Sequence, residues 1–208
     1  MRWSGNLAYV VGLITTDGSL SNDGRHIDFT SKDLEQIQNF IKILKLNNKI
    51  GLKSSGYSDK KYFRVQFGNI KFYRFLLKIG LTPKKSKTLN KIIIPDRYFR
   101  DFLRGHLDGD GYTTSFWDSV YKNSFRLYMG FVSASGAHLE WISNQIKSLY
   151  NLHGSLRYSK QACTFQLKYA KNSSIKLIDI LYYQSDLPSL TRKRFKIEKA
   201  LSIIRKQV

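Results

Sequence analysis

The chain has 208 residues, enough to bury a sizeable core in one large domain or two small ones. Its 35 Lys+Arg against 15 Asp+Glu leave a net charge of +20, a field that attracts nucleic acid or an anionic membrane surface. The single cysteine, Cys163, excludes a disulfide framework and a cysteine-based zinc site, and no apolar run approaches the roughly 20 residues that span a bilayer.

The first element predicted is a helix. Leu7-Ala8-Tyr9-Val10-Val11-Gly12-Leu13-Ile14-Thr15-Thr16-Asp17-Gly18 carries an apolar helical pattern into an Asp-Gly step. An alternating strand follows over Arg25 to Ser31, then a helix with Leu34, Ile37, Phe40, Ile41 and Leu44 at three-to-four spacing. Strand-like Ile50-Gly51-Leu52-Lys53 and Tyr62 to Phe67 come next, then an aromatic-rich helix from Ile70 to about Ile79. A basic segment from Pro83 to Leu89 closes the unit, and a joint is expected around Asn90 to Asp96.

The second half answers in the same order. Phe102-Leu103-Arg104-Gly105-His106-Leu107-Asp108-Gly109-Asp110-Gly111 repeats the helix, with Gly105 five positions before Asp110 as Gly12 is before Asp17. A strand over Phe125 to Ser133 leads to a helix carrying Leu139, Ile142, Ile146 and Leu149. Then follow Gly154 to Arg157, Thr164 to Tyr169, a helix near Ile175 to Leu181, and the basic segment Thr191 to Ile197. Two repeats are too few for a solenoid, so two α+β units side by side are expected, residues 1–95 and 96–208.

Strand alternation divides the residues between two faces. Phe63, Val65 and Phe67 oppose Arg64 and Gln66, Leu127, Met129 and Phe131 oppose Arg126 and Tyr128, and Phe165, Leu167 and Tyr169 oppose Gln166 and Lys168. Lys53, Arg64, Gln66, Arg126, Tyr128, Arg157, Gln166 and Lys168 form the expected DNA-contact set, since such side chains suit base edges and a twisted β-ribbon enters a major groove. For any single one of them an ordinary solvated sheet face is the simpler explanation, and the same pattern in both halves of a +20 chain moves the balance towards a DNA-facing saddle.

An acid at a helix C-terminus faces the negative end of the macrodipole, at a cost of roughly 0.3–1 kcal/mol. A mid-helix glycine costs about 1 kcal/mol relative to alanine. Gly12 and Gly105 make sense if the two helices approach closely, which would bring Asp17 and Asp110 together. Two adjacent carboxylates repel unless a cation lies between them. The four histidines are scattered, so oxygen ligands and a magnesium-like ion are expected.

The paired motifs resemble those of the LAGLIDADG homing endonucleases in their monomeric, two-motif form. Val10 to Gly18 and Leu103 to Gly111 occupy the nine positions, and the order of elements in both halves is that of the family's repeat. Thr15 departs from the first acid of the pattern and His106 stands in an apolar slot, but the last acid of each motif is kept. The resemblance implies two pseudo-symmetric αββαββα repeats, motif helices at the centre and two antiparallel sheets forming a DNA-binding saddle. It implies site-specific double-strand cleavage with Mg2+ or Mn2+, leaving staggered ends. Asp17 and Asp110 match the metal-binding carboxylates, and the carbonyls of Thr16 and Gly109 match the backbone ligands.

Lys85 and Lys193 are the symmetric basic candidates near the cut, a solvated charge run being the competing explanation. Asp108 reads as helix-end structure or support for the site. Ser31 and Ser133 stand where the family often has a polar active-site residue, though a helix-cap role fits them better, and Lys32 has no symmetric partner. A non-cleaving binder on the same scaffold, an RNA maturase or a DNA-binding regulator, is the alternative. The partners expected are double-stranded DNA and, for an intron-encoded protein, RNA, with no membrane and a monomeric state. The first residues lack a signal-peptide pattern, so an intracellular protein is expected.

Overall fold

The computed structural model describes residues 1–55 and 58–206. The first half runs α1 (Gly5–Asp17), β1 (Gly18–Leu20), β2 (His26–Ser31), α2 (Leu34–Leu44), β3 (Gly51–Ser55), β4 (Ser58–Gly68) and α3 (Ile70–Lys78). After short 3-10 turns at Lys85–Lys87 and Asp96–Tyr98 the order repeats. It runs α4 (Phe99–Asp110), β5 (Gly111–Trp117), β6 (Phe125–Ser133), α5 (Gly136–Tyr150), β7 (Ser155–Ser159), β8 (Thr164–Tyr169) and α6 (Lys171–Leu181). A last helix, α7 (Thr191–Arg205), follows. Two antiparallel four-stranded sheets result, in the orders β1-β2-β4-β3 and β5-β6-β8-β7. The fold is the expected α+β arrangement, with αββαββα in each half.

Three elements depart from the sequence reading. β1 and β5 are called for by the αββαββα order that the resemblance implies but are not located by the residue pattern, and the basic segment at Thr191 proves to be the start of α7, whose Ile197, Ala200 and Ile204 are buried at helical spacing. Each motif glycine also behaves differently from a left-handed helix stop. Gly18 (φ −90°, ψ 154°) and Gly111 (φ −83°, ψ 161°) are extended, and the chain passes straight from helix to strand. A Cβ on Gly18 would sit 2.6 Å from Ile14 Cα, and one on Gly111 would sit 2.5 Å from Leu107 Cα. The missing side chain permits the chain to fold back over its own last turn.

α1 is buried all round from Leu7 to Thr15, as a helix at the centre of a core must be. It packs on α4 as closely as the mid-helix glycines imply. A Cβ on Gly12 would meet His106 N at 2.7 Å, and one on Gly105 would meet Gly12 Cα at 3.2 Å. The sheets lay one face on this core: Val65, Phe67, Leu127, Met129, Phe131, Leu167 and Tyr169 are all buried.

α4 differs from α1 in burying four polar side chains, Asp101, Arg104, His106 and Asp108. Buried polar groups need partners, and most of their atoms find them. Arg104 donates through Nε to Pro188 O at 3.0 Å and through Nη1 to Leu181 O at 3.1 Å, and its Nη2 lies 2.9 Å from Asp101 Oδ1. His138 lies with Nδ1 2.8 Å from Asn90 O and Nε2 3.2 Å from His106 Nε2. A carbonyl only accepts, so His138 carries its proton on Nδ1 and His106 donates from Nε2, both rings neutral. Burial pushes the His138 pKa down to about 4 and that of His106 well below the ordinary value.

The halves grip each other through their closing segments. Ser135, at the start of α5, donates to Leu89 O at 2.5 Å. On the other side Arg192 holds Asp33 with two bonds of 2.7 Å, and Glu35 accepts from Thr191 N at 3.0 Å. Asp33, the residue before α2, therefore points its carboxylate at α7 and makes no cap bond to its own helix.

Candidate metal centre and nucleic-acid interface

The α1–α4 packing carries both motif aspartates to one place. Asp17 and Asp110 line the same cleft of about 640 Å3, together with Gly109, Asp108 and the polar face of the first sheet. Gly109, in the last turn of α4, lies against the end of α1: a Cβ there would collide with Thr16 Oγ1 and lie 2.8 Å from Asp17 Oδ2. Burial first, and then Asp110, raise the Asp17 pKa to about 6. Thr16 Oγ1, 3.2 Å from Asp17 Oδ2, works against the rise, as do Lys193 and Lys85. Asp110 is also raised by burial, opposed by the same two lysines.

Both lysines reach the helix ends, at corresponding carbonyls. Lys85 is buried and donates to Gly18 O, the carbonyl just after α1. Lys193 donates to Gly111 O at 2.8 Å, and also to Gly109 O at 2.8 Å and Leu107 O at 2.7 Å. An ammonium has three N–H groups, so all three of Lys193 are engaged. Burial lowers both lysines to about 8, against the pull of the aspartates. Each ammonium sits at the negative end of a helix dipole, the favourable place for a cation. The two ammonium groups thus offset the dipole cost of placing acids at these helix ends.

The donors around the cleft suit a hard divalent cation. Two carboxylates and backbone carbonyls are oxygen ligands, and magnesium is commonly held by one or two carboxylates with substrate phosphate and water completing the shell. Among the described residues no group of three or more His, Cys, Asp or Glu side chains could hold an ion alone. An ion here would thus need Asp17, Asp110 and non-side-chain oxygens. The Gly109 carbonyl already accepts from Lys193, leaving it one lone pair.

Asp108 supports this centre from behind. Its Oδ2 accepts from Tyr9 OH at 2.8 Å and from Leu190 N at 2.9 Å, linking α4 to α1 and to the turn before Lys193. Its Oδ1 is buried without a partner, and burial raises its pKa to about 6. Thr15, in the same motif position, donates only to Val11 O of its own helix. Ser31 and Ser133 end β2 and β6 and brace the turns that follow: their Oγ atoms accept from Asp33 N and Ser135 N, both at 3.1 Å. The helix cap is Ser135, two residues on from Ser133, accepting from His138 N at 3.4 Å. Lys32 is exposed at the mouth of the cleft.

The eight expected contact residues share the open faces of the sheets. In the first, Lys53 is opposite Tyr62 and Gln66 is opposite Asp28; in the second, Arg157 is opposite Gln166 and Lys168 is opposite Gly130. Lys53, Gln66, Arg157 and Lys168 are exposed. Two arginines already have partners: Arg64 pairs with Asp28 and Arg126 with Asp118 at 2.7 Å. Lys168 Nζ lies 3.7 Å from the centre of the Tyr128 ring. Sequence reasoning passed over Asp28, although the alternation of His26-Ile27-Asp28-Phe29-Thr30 puts it on the polar face.

No protein-family model and no curated protein matches the sequence. Solved structures do match the fold. I-WcaI, described as bound to its DNA recognition sequence, superposes with a TM-score of 0.61 at 15% identity, over 93% of this chain and 88% of that one. I-DmoI, described in complex with DNA and Ca, gives 0.57 at 18% identity, over 97% of each chain. The N-terminal LAGLIDADG domain of DUF199/WhiA gives 0.57 at 16% identity, over 89% of this chain and 85% of that one. The chain has the LAGLIDADG homing-endonuclease fold.

Proposed function

We propose that the protein is a site-specific DNA endonuclease that makes a divalent-metal-dependent double-strand break. The observation that carries this reading is the Asp17–Asp110 pair, two carboxylates at adjacent helix ends, the first half-buried and the second reaching the open cleft, both with raised pKa values. A binding protein gains nothing from that repulsion, whereas a bound cation relieves it. The solved relatives with this fold include I-DmoI described with DNA and Mn, and with DNA and Ca.

In this reading Asp17 and Asp110 hold the cation, with the carbonyls of Thr16 and Gly109. A divalent ion in such a site lowers the pKa of water and stabilises charge on the phosphoryl oxygens. Lys85 and Lys193 keep the helix ends compatible with the acids and add positive potential beside the scissile phosphates. The open sheet faces seat the duplex, aided by the +20 charge, and affinity falls steeply with salt as counterions are released. Each strand is cut once, by a monomer.

A non-cleaving binder on the same scaffold has one observation in its favour: the ammonium of Lys193 already occupies the Gly109 carbonyl. Selection of cleaved sites from a randomised duplex library with magnesium separates the two readings. Cut sites that disappear with Asp17→Asn or Asp110→Asn establish the nuclease, whereas specific binding without any cutting establishes the binder.

A further inference from the structure

The open faces of the two sheets are chemically unlike. In the first, the outward residues include Ser19, Asp28, Thr30, Lys53, Arg64 and Gln66, with Tyr62 opposite Lys53 as the one tyrosine among them, and Asp28 accepts from both Thr30 and Arg64. The second presents rings. Phe116 is 47% exposed, opposite Arg126 on β6, and its ring centre lies 6.2 Å from that of Tyr128. Tyr112 lies over Gly130, so closely that a Cβ there would come within 2.6 Å of the ring. Lys168 covers Tyr128 from the neighbouring strand.

The turn at the end of the ribbon carrying Phe116 is closed by hydrogen bonds. Asp118 accepts from Val120 N and Tyr121 N at 3.0 Å and from Arg126 Nε at 2.7 Å, closing the β5–β6 turn. An apolar ring held out in water with cations beside it is poorly placed for a protein core and well placed against DNA. The apolar feature of a major groove is the thymine 5-methyl group, which alkyl and phenyl side chains contact.

Resting on the duplex-DNA reading above, we infer that the second sheet recognises thymine methyls through Phe116 and its ring neighbours, while the first sheet reads hydrogen-bonding edges. The two halves of the target then differ in kind: thymines face Phe116, and polar base edges face Arg64, Asp28 and Gln66. The same patch favours DNA over double-stranded RNA, whose uracils lack the methyl and whose major groove is too narrow for side chains.

The test uses the full chain and a randomised duplex library, selected for binding in EDTA so that no strand is cut. The recovered site is remade with deoxyuridine replacing thymidine in one half at a time. Loss of one contacted methyl should weaken binding about fourfold, in one half only, and Phe116→Ser should abolish that discrimination without changing the preference of the other half. Equal affinity for the thymidine and deoxyuridine sites, an equal loss in both halves, or undiminished discrimination by Phe116→Ser overturns the inference while leaving duplex binding intact. Failure to recover any site overturns the DNA reading on which it rests.

Discussion

Gly12 and Gly105 face each other across the α1–α4 interface, and a side chain on either would meet backbone of the opposite helix. Backbone cannot swing aside as a flexible side chain does, so a single methyl must push the helices apart. Gly12→Ala and Gly105→Ala should each lower stability by at least about 1–3 kcal/mol. Chemical denaturation of the two variants checks this, and an alanine at wild-type stability would show that the helices are less tightly apposed.

The paired acids predict an inverse relation between stability and activity. Burial raises the Asp17 pKa from its ordinary value to about 6, so the folded state holds the proton more tightly than the unfolded one. The contribution of this group to stability therefore falls as pH rises from about 4 to 6, and stays low above that range. Asp17→Asn should stabilise the metal-free protein by about 1–3 kcal/mol at pH 8, and should make it insensitive to magnesium as well as unable to cut. Thermal melts in EDTA and in magnesium measure both effects.

Lys193 and Lys85 should not be equivalent. Lys193 satisfies three carbonyls at the end of α4, whereas one bond, to Gly18 O, is found for Lys85. Lys193→Met leaves more acceptors unpaired and removes the charge, so it should cost about 2 kcal/mol or more beyond Lys85→Met. Urea denaturation of the two variants at the same pH gives the comparison.

The buried histidine pair predicts an acid weakness. Both His106 and His138 have depressed pKa values in the folded state, so only the unfolded chain takes up their protons near pH 6. Their contribution is complete above about pH 6.5 and is lost as pH falls towards 4 and below. His106→Leu puts in this slot the residue type that α1 has at Leu13. The variant should lose about 1–3 kcal/mol less than wild type between pH 7 and pH 4.5, read from denaturation curves at the two values.

The repeat, the central helices and the paired acids were legible because each rests on spacing. Apolar residues every three or four positions mark a helix, and a duplicated Gly-x4-Asp-Gly places the same atoms twice. β1 escaped because three residues, Gly18 to Leu20, carry no period. β5 escaped because Thr113, Thr114 and Ser115 blur its alternation, and with it went Phe116. α7 was hidden by Arg192-Lys193-Arg194, which reads as a charge run until Ile197 and Ala200 reveal a buried side.

Within the site, the symmetric lysines could be named from the repeat, but their bonds to helix-end carbonyls depend on the helix–strand corners at Gly18 and Gly111. The partners of Asp108 and His106 lie on α1 and α5, at separations of 99 and 32 residues, where no local pattern reaches.

The polar residues of α4 also decide which helix it can accept as a neighbour. Asp108 needs the hydroxyl of Tyr9, and Arg104 lies 5.4 Å from the centre of the same ring, so part of the wiring of α4 is on α1. In two copies of α4 laid together, each Asp108 would lack that hydroxyl, and the buried charges of the two copies would have to be accommodated in one seam. A mixture of separately made halves should therefore sort into unlike pairs, and the asymmetry that looks like drift between two repeats acts as a lock on their pairing.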